Sequence, residues 1–189
     1  IIVQVSINNF GVDTMAAWTA YSKIDFIFWM INSAFGISVM TFVGQNYGAG
    51  KWDRIRRGTK ICLGMALISA VFVSIILMSA ERFLFGIFVN DAGVVEIGIH
   101  MMNVIAPAYL LFAFIEVFSG ALRAQGAVVV STLITMVGIC VLRMIWVTLV
   151  AAHGTLEQVI ICYPITWAAG ALAMSIYYIY KQRKIFQAR

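Results

Sequence analysis

Residues 64–79 read GMALISAVFVSIILMS. The run carries no charge, and it does not alternate polar with apolar side chains. A barrel strand would be about 10 residues long and would alternate. A bilayer-spanning helix needs about 20 predominantly apolar residues, and the charge-free segment around this run, 61–80, has that length. Four more charge-free stretches lie outward from it, at 26–50, 97–115, 124–142 and 158–180. The backbone must satisfy its own hydrogen bonds in lipid, so five such stretches read as membrane helices. The composition agrees: 62% of the 189 residues are hydrophobic and 11% charged, against about 25% charged in a soluble domain.

The expected architecture is an all-α integral membrane protein, a polytopic helical bundle. Helices are predicted at 1–8, 22–44, 60–80, 95–118, 128–150 and 158–180, with short connections that make neighbours antiparallel. The first is read as truncated. Ile1 opens an apolar run, IIVQVSI, with neither a basic region nor a cleavage site of a signal peptide.

Lys and Arg set the orientation. Loop 45–60, Arg123 and the tail hold ten of them, whereas loops 81–94 and 151–157 hold one, Arg82, beside Glu81, Asp91, His153 and Glu157. Loop 45–60, loop 119–127 and the C-terminus are therefore expected in the cytoplasm. The same rule explains the formal charge of +5, so no nucleic-acid partner is inferred. His100 and His153 are far apart in sequence, and no nucleophile motif, phosphate-cradling loop or metal-ligand spacing is visible. No catalytic or metal site and no cofactor is expected. Cys62, Cys140 and Cys162 read as small apolar fillers.

Segment 43–60, VGQNYGAGKWDRIRRGTK, is the most specific stretch. It resembles the GQ-x-x-GA-G loop of the multidrug and toxic compound extrusion (MATE) transporters, with Gly44, Gln45, Gly48, Ala49, Gly50, Arg54 and Arg57 at matching positions. GVDTMAAWTAYSKID upstream resembles the segment that precedes the loop's helix in that family. LFGIFVNDAGVVEIGIHMMNVIAPAY, FSGALRAQG, RMIWVTLV and YPITW follow in the family's order. Ala124 departs from the pattern, standing where the family more often has Gly.

The resemblance covers nearly the whole chain. It implies the C-terminal lobe of a twelve-helix, two-lobe transporter whose N-terminal lobe is absent. It also implies a plasma-membrane antiporter that exports amphipathic, often cationic, organic compounds. H⁺ or Na⁺ would be exchanged for them by alternating access. The partners implied are the lipid bilayer, a small organic substrate and the N-terminal lobe. A lipid or lipid-linked sugar flippase is the alternative, although that function wants a strongly basic cavity. A non-transporting scaffold is the other.

Glu116 lies in the apolar run YLLFAFIEVFSG. A carboxylate at that depth costs a few kcal/mol unless it faces a cavity, finds a partner or takes up a proton. It is the cation-coupling candidate; the alternative is an acid near the helix end, solvated or paired with Arg123. Some branches of the family carry their cation-binding acid one turn earlier, where this chain has Phe112. Arg143, Trp146, Asn32 and Tyr163 are candidates for the substrate cavity, the aromatic rings through cation–π contact. A direct Arg143–Glu116 pair is not expected, given their different depths. Lys23 and Asp25 are read as interfacial anchors at the outer end of helix 22–44. Loop residues Gly44, Gln45, Gly48, Ala49 and Arg54 are expected to form a tight turn or a gating element. Pro107 and Pro164, inside predicted spans, are the hinge candidates.

Overall fold

The computed structural model describes residues 2–150 and 154–187; His153 lies outside them. Ten α-helices are seen among the described residues: α1 (Ile2–Asn8), α2 (Val12–Gly48), α3 (Trp52–Ser79), α4 (Glu81–Phe88), α5 (Ala92–Ile105), α6 (Tyr109–Ala124), α7 (Val128–Thr135), α8 (Leu142–Leu149), α9 (Leu156–Ile160) and α10 (Cys162–Gln187). A 3₁₀ turn, Ala106–Ala108, joins α5 to α6, and a π-helical segment, Met136–Val141, joins α7 to α8. Five stretches are long and apolar enough to cross a membrane: 12–48, 52–79, 92–124, 128–149 and 156–185. The chain is thus an all-helical, polytopic membrane bundle.

The helix expected at 22–44 starts ten residues earlier. Residues 12–21, VDTMAAWTAY, include good helix formers, and Asp13 stands in the first turn, where an acid complements the helix dipole. The 37 residues of α2 span about 55 Å at 1.5 Å per residue. Lys23 and Asp25 are therefore interior to the helix. A charge marks where lipid ends, but it does not end a helix whose backbone continues to bond itself. Helix α3 likewise absorbs the basic segment RIRRGTK, expected as loop. Connection 81–94 holds a helix, α4, tied to α5 by an Arg82–Glu96 ion pair (2.6 Å).

The two prolines differ. Pro107 does interrupt a span, as the 3₁₀ turn, and Ser74 donates from α3 to the buried Ala106 carbonyl (2.9 Å). Pro164 lies in the first turn of α10, next to a break at Ile161. There the missing N–H has no intrahelical partner to lose, so the kink stands near an end of the span.

Helix α6 is the hub, packed against α2, α3 and α10. Its closest approach is to α2, where a Cβ on Gly120 would stand 2.7 Å from the Gly36 carbonyl oxygen. Small residues let membrane helices approach this closely.

The α2–α3 turn is a complete Schellman cap. Lys51 N–H donates to Asn46 O (2.9 Å), Gly50 N–H donates to Tyr47 O (3.1 Å), and Gly50 has φ +66°. The α6–α7 turn repeats it, with Ala127 N–H to Leu122 O, Gly126 N–H to Arg123 O, and Gly126 at φ +79°. Ala124 is the last helical residue, so its departure from the family's glycine puts no strain on the turn. Gln125, buried, locks this corner to α10: Lys181 donates to its carbonyl (2.8 Å) and Gln182 to its Oε1 (2.9 Å).

Candidate functional site

The strongest polar constellation inside the bundle centres on Asp25. Trp29, one turn on along α2, donates its indole N–H to Asp25 Oδ2 (2.6 Å). Tyr109, at the start of α6, donates its hydroxyl to Oδ1. The Tyr21 hydroxyl lies 3.2 Å from that of Tyr109. Asp25 is half-buried, whereas Tyr21 and Tyr109 are 2% and 0% exposed. A carboxylate among apolar helices thus has two charge-assisted partners, which are stronger than neutral hydrogen bonds.

Aromatic rings pack around it. Tyr109 stacks on Phe28 (3.8 Å between centroids, 7° between planes). Trp167 of α10 meets Trp29, Phe112 and Tyr163 edge-on, at 6.1, 5.5 and 5.6 Å. Trp18 touches both Tyr21 and Tyr163. Trp167 is fully packed, but Trp18, Trp29 and Tyr163 keep partly open edges.

Arg143 closes the far side. Its guanidinium sits over the Tyr163 ring (4.0 Å) and donates from Nη2 to Thr166 Oγ1 (3.1 Å), while its buried Nε has no partner. Trp146, one turn later, donates to the Gln158 carbonyl (2.9 Å). Arg143, Trp146 and Tyr163 therefore stand together, and rings connect them to Asp25. Asn32 is buried on α2, two turns from Asp25 towards Gly36, outside this cluster.

Glu116 stands apart as well. Its carboxyl group occupies the space that a Cβ on Gly36 would need, about 16 Å along α2 from Asp25. Its Oε1 lies 3.8 Å from Arg123 Nη2, at the limit of an ion pair. The pairing is with Arg123 of its own helix, not Arg143. Gly44, Gln45 and Gly48, expected in a loop, are instead in the last turns of α2, and the turn is confined to Ala49 and Gly50; Arg54, expected in the same loop, is exposed on α3.

Sequence reading took Asp25 as an interfacial anchor and did not connect it to this cluster. Its neighbours on α2 are visible as D-x-x-x-W, a spacing that puts an acceptor and an indole on one helix face. Tyr109, 84 residues away, gives no local signal.

The family model described as MatE matches residues 1–149. The chain belongs to the MatE family. It is 24% identical over 185 residues to the probable multidrug resistance protein YoeA of Bacillus subtilis (strain 168), covering 95% of this chain and 40% of YoeA. It is 22% identical over 158 residues to multidrug and toxin extrusion protein 1 of Homo sapiens, covering 80% of this chain and 28% of that protein. The chain thus spans about 40% or less of these MatE relatives. The outward-facing structure of a multidrug resistance MATE family transporter of the MOP superfamily superposes with a TM-score of 0.88 at 15% identity. That match covers 98% of this chain and 42% of the other, and it is a likeness of fold.

Proposed function

We propose that this MatE chain is the C-terminal lobe of a secondary multidrug exporter in the cell membrane. It exports amphipathic organic compounds in exchange for H⁺ or Na⁺, by alternating access against an N-terminal lobe. Loop 49–51 and the C-terminus face the cytoplasm. The observation that carries the reading is Asp25, a carboxylate inside a membrane helix held by Tyr109 and Trp29 at the edge of an aromatic wall. An ionisable group in a span marks an ion or substrate path. Asp25 binds the coupling ion, and the open edges of Trp18, Trp29 and Tyr163 receive the flat apolar part of the substrate. Glu116 is the weaker coupling candidate because Arg123 stands beside it.

This assignment departs from the Glu116 expectation, and the two are separable. The full-length protein is expressed in efflux-deficient cells, and export of a fluorescent organic cation is followed under an imposed H⁺ or Na⁺ gradient. Asp25→Asn is expected to abolish gradient-driven export at normal expression, and Glu116→Gln to retain most of it. Wild-type export in Asp25→Asn sinks the assignment. The flippase alternative wants free basic groups in the cavity, and Arg143 is engaged by Thr166 and Tyr163.

A further inference from the structure

A second site lies at the other end of the bundle, away from Asp25. A cavity of about 300 Å³ opens between α3 and α10, lined by Arg56, Lys60, Tyr178, Ile179, Gln182 and Arg183. Arg56 and Lys60 are one turn apart on α3, and Arg183 meets them from α10. Among the described residues, no carboxylate pairs with Lys60 or Arg183. The positive-inside rule puts basic residues at this end of the bundle, but it does not gather them from two helices around one hollow.

Tyr178 gives the hollow its second feature. It is 7% exposed, and its hydroxyl closes no hydrogen bond. It approaches the Thr59 hydroxyl without reaching hydrogen-bond geometry. A buried hydroxyl with no partner is costly. Here it stands in a cationic cavity, where an anionic oxygen would complete it.

The walls then turn apolar. Helices α3 and α10 each pack on α6 and hardly touch each other. Between them Phe118 of α6 stacks on Tyr178 (4.5 Å), and Phe114 continues the aromatic surface by one turn. Ile179 lines the cavity and is exposed, as is Ile176 one turn further along α10. A basic mouth that leads onto aliphatic helix faces fits an amphiphile with an anionic head. Basic pockets between membrane helices bind such lipid headgroups.

We propose that this groove binds an anionic phospholipid, its phosphate among Arg56, Lys60, Arg183 and the Tyr178 hydroxyl, its acyl chains along Ile176, Ile179 and Phe114. The chemistry of the mouth would also suit free phosphate; the apolar continuation selects the lipid.

The test is native mass spectrometry of the purified protein with phosphatidylglycerol, phosphatidylethanolamine or inorganic phosphate. Phosphatidylglycerol is expected to be retained preferentially. The double substitution Lys60→Gln/Arg183→Gln should reduce its retention about twenty-five-fold, from about fivefold per charge. Arg57→Gln/Lys184→Gln removes the same charge outside the cavity and should leave it unchanged. Tyr178→Phe keeps the stacked ring and should lower retention without altering the melting temperature. Equal retention of the two lipids overturns the proposal. So does an equal loss in the control pair, full retention in Tyr178→Phe, or displacement of the lipid by equimolar inorganic phosphate.

Discussion

Asp25 and Gly50 show how residues of plain appearance can have opposite legibility. Gly50 was legible as a turn glycine, although the helix before it was expected to end at 44, and it takes the left-handed cap at φ +66°. Asp25 was misplaced because charge was used as a boundary marker; the groups that make it tolerable in a helix interior are Trp29 and the distant Tyr109. The caps yield a prediction. Alanine at Gly50 or Gly126 must adopt positive φ, at a cost of about 1–2 kcal/mol each. Gly48 is helical with open space around a Cβ, so Gly48→Ala should be neutral or stabilising by up to about 1 kcal/mol. Unfolding in detergent measures the difference; an equal loss at positions 48 and 50 would refute the assignment of the turn.

Among the elements, α6 decides most of the packing. The existence of the span 92–124 that α6 forms with α5 was legible from apolar length, but its extent was not. Residues 92–94 are brought into α5 by Asp91, which accepts from the amides of Gly93 (2.8 Å) and Val94 (3.2 Å), a cap worth about 1 kcal/mol. The α2–α6 crossing was not legible at all, since Gly36 and Gly120 acquire meaning only once they face each other. A methyl group on Gly120 must push the two helices apart. Gly120→Ala is expected to lose about 1–3 kcal/mol, the usual cost of overpacking, and to loosen the contact of Glu116 with Gly36. Gly64→Ala, where a Cβ meets nothing within 4 Å, is the control. Equal thermal stability of the two variants would show that the crossing tolerates a wider separation.

At the scale of the whole molecule, the fold class followed from hydropathy because lipid leaves the backbone few choices. Five spans and their order were recoverable this way, but the basic loop expected at 45–60 is only the turn 49–51, its basic residues lying on α3. The aromatic cluster was not, because it is assembled from α2, α6 and α10, and no local pattern links Trp29 to Trp167. The handedness of insertion is testable by labelling. Single cysteines at Ala49 and Asp91, in an otherwise cysteine-free full-length protein, should react with an impermeant maleimide from opposite sides of the membrane. Position 91 should be labelled in intact cells and position 49 only after permeabilisation. Labelling of both from one side would invalidate the orientation.

The π-helical segment Met136–Val141 changes how its span must be drawn. Ser131 contacts Met174 of α10, and Val147 packs with Cys162 of the same helix. On an uninterrupted helical wheel, with about 100° per residue, these two positions fall about 160° apart, on opposite rims. A turn closed by i→i+5 bonds carries one residue more than an α-turn, and the phase recovers by about 100°. Two wheels offset by that angle are therefore needed for 128–149. Only on the second does Arg143 come round to the side that Tyr163 occupies.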